Sequence, residues 1–179
     1  MNSSLLAAAH FDQPDARSLL ASAFMDIFNA EQQPVFICIG SDRHLLDCLG
    51  PLTGTMLQEQ SSSVLVFGTL QEPWHAGNLS LKLRELRSLY PYRPAVAIDA
   101  SIGDSEPPGL IKLKTGPIRP GKAVQKNLPK VGDFAITGLV GNRENKAVAN
   151  AAGIISLAHV YSMSRVISDA IISWEKQAR

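Results

Sequence analysis

Cysteine is nearly missing from this chain: Cys38 and Cys48 are the only two in 179 residues. That excludes a disulfide-stapled scaffold, and neither stands in the paired C-x-x-C spacing of a structural zinc site. An excess of charge of one sign is missing too. Seventeen Lys and Arg against sixteen Asp and Glu leave a formal net charge of +1, so no overall basic field draws in a nucleic-acid backbone or an acidic membrane. No apolar run approaches the roughly 20 residues of a bilayer span. The LLAAAH stretch near the start is too short, and too soon followed by Asp12 and Asp15, for a secretory signal. The expectation is a cytoplasmic protein with neither nucleic acid nor membrane as a partner.

What is present suits one domain spanning residues 1–179, since 45% hydrophobic residues supply a core. The first 14 or so residues carry no periodic signal and read as irregular, possessing no expected element. Leu20, Phe24, Ile27 and Phe28 then recur at helical spacing. VFICIG (35–40) reads as a buried strand, and the stretch from Asp47 to Gln60 as a helix that tolerates Pro51 in its first turn. VLVFG (64–68) is a second strand, Leu79, Leu83, Leu86 and Tyr90 mark a second helix, and AVAIDA (95–100) is a third strand. GLIKLKTG (109–116) alternates as an exposed or edge strand does, and FAITGLVG (134–141) reads as a further buried one. Leu157, Val160, Ile167, Ile171 and Trp174 form a stripe on a long C-terminal helix, interrupted by Ser164. This β-α-β-α-β order predicts an α/β fold: a three-layer, doubly wound, mostly parallel sheet of about five strands.

In such a sheet, ligands bind beyond the C-terminal ends of the strands. The loops Gly40–Asp47, Gly68–Asn78 and Asp99–Pro108 therefore open on one edge. Asp99 closes an apolar strand, where desolvation raises a carboxyl pKa; as an alternative it accepts backbone N–H bonds in its own turn. Asp47 precedes a helix and can either cap it or join Asp99 in an acidic pair. Two close carboxylates hinder each other's ionisation and leave one acid and one base, suited to water activation or to holding a metal. His75 and Glu72 belong to the second loop, with Trp74 as an aromatic anchor beneath it. Asp42 and Arg43 either line the crevice or pair with each other. Cys48 and His44 offer a weaker thiol-and-base reading, because Asp47 beside Cys48 disfavours a thiolate.

The segments IGSDRHLLDCLGPLTG (39–54), VFGTLQEPWHAGNL (66–79), AVAIDASIG (95–103) and TGPIRPGKAVQKNLPKVGDFAITGLV (115–140) together resemble the YyaC family of sporulation proteins. That family is similar to the germination protease and, more distantly, to the hydrogenase maturation endopeptidases. The resemblance implies that Asp47 in the D-x-L-G-P element and Asp99 in the A-I-D-A element are the acidic site residues. It also implies that the stretch from Gly116 to Gly121 lies near them. An acidic-residue peptidase is then expected, with small acid-soluble spore proteins as its substrate class and the spore or mother-cell interior as its compartment. The alternative is a non-catalytic sporulation protein that binds a ligand, metal or partner in the same cleft. No cofactor is established, although Asp47, Asp99 and His75 could hold a divalent metal. Ser41-Asp42-Arg43 departs from the protease's asparagine-containing turn. No histidine lies between His75 and His159, where the maturation enzymes carry a nickel ligand.

Overall fold

The computed structural model describes residues 3–28, 32–103, 106–120, 128–142 and 156–178. Six strands form one mixed sheet: β1 (Leu5–His10), β2 (Val35–Cys38), β3 (Leu65–Phe67), β4 (Ala95–Gly103), β5 (Leu110–Thr115) and β6 (Phe134–Asn142). Four helices accompany them: α1 (Ala16–Ile27), α2 (Leu49–Gln60), α3 (Leu79–Leu89) and α4 (Leu157–Gln177). The spatial order is β1-β5-β6-β4-β2-β3. Strands β3, β2, β4 and β6 run parallel, whereas β5 is antiparallel to β6 and β1 is antiparallel to β5.

Alternation along the strands sends their side chains into two separate clusters. Phe36 and Cys38 of β2, Val96 and Ile98 of β4, Ile111 and Leu113 of β5 and Ile136 of β6 join residues of α1, α2 and α4. Val35, Ile37 and Ile39 with Ala97 join Leu79, Leu83 and Leu86 of α3. All four residues of β2 are buried, as expected of a central parallel strand with apolar packing for both sets of its side chains. Aromatic rings weld the larger cluster: Phe24 lies 5.8 Å from Trp174 and 6.1 Å from Phe36, centroid to centroid. Among the described residues no helix is long and apolar enough to cross a membrane.

Three expectations are corrected. The start of the chain is ordered into β1, a strand without amphipathic alternation, which forms because Leu110–Thr115 offers it a hydrogen-bonding edge. For the same reason β5 is an interior strand, and Ile111 and Leu113 are fully buried. Leu157, the first residue of the predicted stripe, is 60% exposed, because it lies in the first turn of α4, outside the contact that buries Val160, Ile167, Ile171 and Trp174. The packing of α4 continues through Ser164. That residue is buried, and its hydroxyl donates to the Leu49 carbonyl oxygen at 3.2 Å, tying α4 to the start of α2.

His10, with no expected role, staples the end of β1 to the segment before β5. Its Nδ1 bonds the Asp12 carboxylate and its Nε2 lies 2.9 Å from the Pro108 carbonyl oxygen. Both partners are acceptors, so both ring nitrogens must donate, which only the imidazolium can do. Burial by itself lowers the pKa of His10, but the Asp12 and Pro108 hydrogen bonds and the Asp12 charge outweigh it and raise the pKa. A raised folded pKa means the staple contributes fully below the ordinary histidine value of about 6.5 and is lost as pH rises through the folded value. Thermal melts of His10→Gln beside the parent should therefore differ most near pH 5.5 to 6 and converge in the alkaline direction. A difference that widens with pH would rule out the charged staple.

Candidate functional site

The site begins where β2 stops. The Ile39 N–H donates to the Ile98 carbonyl at 2.8 Å, Ile39 bridges to Trp74, and the Gly40 N–H donates to the Trp74 carbonyl at 2.9 Å. The end of β2, the loop after β3 and the middle of β4 are thus laced together. Gly40 has φ +145°, and a Cβ there would stand 2.0 Å from the Asp47 carbonyl oxygen. Only glycine lets the chain double back so closely. The loop is closed by the Ser41 N–H, which donates to that same Asp47 oxygen at 2.9 Å, and by a short 3-10 turn over Leu45–Asp47. Gly50 serves the next step: a Cβ there would lie 2.1 Å from the Ile39 carbonyl oxygen, so α2 starts hard against the end of β2. Asp47 is therefore held half-buried beside the strand ends.

Asp99 follows Ile98, the last β4 residue paired to β2, so it stands just past the point where β2 leaves the sheet. The strand runs past Ala100, its expected end. β4 continues to Gly103 because β6 keeps pairing with it on the other side, Asp99 opposite Thr137 and Gly103 opposite Asn142. Asp99 is thus a strand residue flanked by a partner on one side and by the departing β2 chain on the other.

The Asp99 carboxyl senses the charge of Asp47. Burial lifts the Asp99 pKa well above the ordinary carboxylate range, the negative charge of Asp47 lifts it further, and a hydrogen bond with the Ala100 backbone N–H opposes them. Asp47 is raised as well, chiefly by burial, but the charges of His44 and His75 and the Ser41 backbone N–H draw it down. The helix-cap alternative finds no support: the residue capping α2 is Cys48, with no side-chain cap hydrogen bond. The thiol-and-base alternative fails too. The Cys48 thiol is buried and donates to the Leu45 carbonyl at 3.2 Å, and burial, followed by the Asp47 charge, pushes its pKa up.

The remaining candidates separate. His75 is near enough for its charge to act on Asp47. Its Nδ1 accepts from the Gly77 N–H at 3.0 Å, so in the neutral ring Nε2 carries the proton. Trp74 is buried against Phe67, as an anchor beneath the loop. Glu72, 68% exposed, is held by Lys82 of α3 at 2.5 Å. Asp42 and Arg43 are exposed, and among the described residues neither forms an ion pair. Gly116 lies at the opposite end of the sheet: Thr115 pairs with Phe134, where β6 begins, and the Gly116 N–H donates to the Asp133 carbonyl. The expectation that it borders the pair is corrected by the antiparallel course of β5. Gly121 falls outside the described residues.

Three further residues were not singled out for this pair. His44 acts on Asp47 through its charge and precedes the 3-10 turn. Thr137 is the register partner of Asp99, and Lys112 is the partner of Thr137, so the three form one row across β4, β6 and β5. Lys112 is ion-paired with Glu106. The signal was present in the polar residues interrupting FAITG and LIKLK, but reading it required the register. Among the described residues no three His, Cys, Asp or Glu side chains converge closely enough to hold a metal ion.

With this geometry in view, residues 8–170 match the family described as "Protein of unknown function (DUF1256)". A relative, "Uncharacterized protein YyaC" of Bacillus subtilis (strain 168), is 37% identical over 134 residues. The match covers 74% of this chain and 65% of that relative, so a third of the relative's length has no counterpart in the alignment.

Proposed function

Because the chain belongs to the DUF1256 family, to which its match extends over residues 8–170, we propose an activity from its own side chains: an acidic-residue peptidase of germination-protease type. The reading takes the α/β domain as three-layered and doubly wound, and assigns the chemistry to Asp47 and Asp99. One observation carries it: Asp99 stands on β4 where β2 leaves the sheet, with Asp47 held half-buried beside the end of β2 and near enough for its charge to raise the buried Asp99 carboxyl. Carboxyls that hinder each other's ionisation suit the roles of general acid and general base near neutral pH.

In this mechanism ionised Asp47 takes a proton from water as the water oxygen adds to the scissile carbonyl carbon. Protonated Asp99 then gives its proton to the leaving nitrogen as the carbon–nitrogen bond breaks. Transfer of a proton from Asp47 to Asp99 restores the pair. The Ser41 backbone N–H favours the ionised form of Asp47, as do His44 and His75 whenever they carry a proton. Small acid-soluble spore proteins are the proposed substrates, inside the spore or mother cell.

The test is incubation of the purified chain with small acid-soluble spore proteins, read by intact mass spectrometry. Fragments whose summed masses equal the parent plus one water per cut are expected. Intact substrate after prolonged incubation across the pH range 5 to 8 would remove the peptidase reading and favour a binding role for the same cleft.

A further inference from the structure

A groove of about 680 Å³ runs along α3, far from the large aromatic cluster, between that helix and the Leu128–Pro129 segment. Its helical wall presents Ser80, Arg84, Arg87 and Ser88, with Leu83 at the contact between the two walls. The i, i+4, i+7 spacing of Ser80, Arg84 and Arg87 aligns them on one side of the helix. Acidic neighbours do not neutralise the arginines. Glu72 and Glu85 are both engaged by Lys82, at 2.5 Å and 4.0 Å, and among the described residues neither Arg84 nor Arg87 has an ion-pair partner. Arg84 and Arg87 thus present two positive charges on one wall of the groove.

We propose that this groove binds an extended acidic segment of a partner protein, independently of how Asp47 and Asp99 are used. From Ser80 to Ser88 the helix rises about 12 Å, the span of three to four residues of extended chain. Residues i and i+2 of such a chain stand roughly 7 Å apart on one side, close to the separation of neighbouring side chains on a helix face, so alternate carboxylates meet Arg84 and Arg87. Their guanidinium groups suit bidentate carboxylate binding. Leu83, Leu128 and Pro129 supply apolar contact for the intervening side chains. A single-stranded nucleic acid fits less well, because among the described residues no aromatic side chain lines the groove for bases to stack upon.

The experiment uses the full chain and a fluorescein-labelled peptide of alternating Glu and Ser, followed by anisotropy at low and raised salt. Saturable binding that weakens with salt is expected, with Arg84→Glu and Arg87→Glu each weakening it severalfold and the double variant about tenfold or more. Lys176→Glu makes the same charge change on α4, whose side chains join the other cluster. It should leave binding unchanged, and circular dichroism should show all variants folded. Absence of peptide binding at low salt, an equal loss in Lys176→Glu, or tighter binding of oligothymidylate through the same arginines would each overturn the proposal.

Discussion

Asp99→Asn is expected to raise the melting temperature near neutral pH and to abolish peptide cleavage. The sign follows from the direction of the shift. Asp99 binds its proton more tightly folded than unfolded, because burial and then the Asp47 charge disfavour its ionised form. Over the range between the ordinary carboxylate pKa of about 3.9 and the raised folded value, the folded state therefore holds more protons, and stability falls as pH rises. Asparagine keeps the shape and carries no ionisable group, so the variant escapes that loss. Each kcal/mol recovered raises the melting temperature by roughly 2–4 °C in a chain of this size. Below about pH 3.5 the parent and the variant should melt alike. Activity should move the other way, with a loss of about 100-fold or more from removal of the acid, and a similar loss in Asp47→Asn from removal of the base. Asp47→Asn also removes a negative charge from beside Asp99, so a carboxyl-carbon NMR titration should show Asp99 releasing its proton at lower pH than in the parent. A variant Asp99→Asn that melts well below the parent at pH 7 would identify Asp99 as a structural acceptor and sink the pairing argument.

The second large effect is on folding itself. Ile171 is fully buried on α4 within the larger cluster, alongside Ile167, Ala170 and Trp174. Exchange for Asp forfeits about 1.5–3 kcal/mol of apolar burial and places an unpaired carboxylate where no water can reach it. Against a total stability of roughly 5–15 kcal/mol, Ile171→Asp should unfold the chain or lower its melting temperature by well over ten degrees. Leu157→Asp is the internal comparison, since the two residues share a predicted stripe but Leu157 is 60% exposed. It should change stability by no more than about 0.5 kcal/mol. Similar melts for the two variants would contradict the packing of α4.

These comparisons also mark what was legible before any coordinates. The helical faces of Leu79, Leu83 and Leu86 and of Val160, Ile167 and Ile171 were readable because burial on one side imposes a period of 3.6 residues. The runs VFIC and AVAI were readable as buried strands because a parallel strand with packing on both faces is apolar throughout. From their alternation with helices it followed that the β2 and β4 ends share an edge, which put Asp47 and Asp99 in one neighbourhood.

Strand β1 was not legible, because LLAAAH has no period of its own and is a strand only by virtue of pairing with a segment more than a hundred residues later. The direction of β5 is likewise absent from its local pattern, since alternation is the same read either way; that sense decided where Gly116 lies. Nor could spacing show that Lys82 captures Glu72 while His44 and His75 act on Asp47. The sequence by itself determined which residues are apolar and where periodicity begins and breaks, because these follow from local chemistry and chain order. Only the tertiary structure decided what surrounds Asp47 and Asp99, because desolvation and charge proximity are properties of the packed surroundings, and residues far apart in the chain supply them.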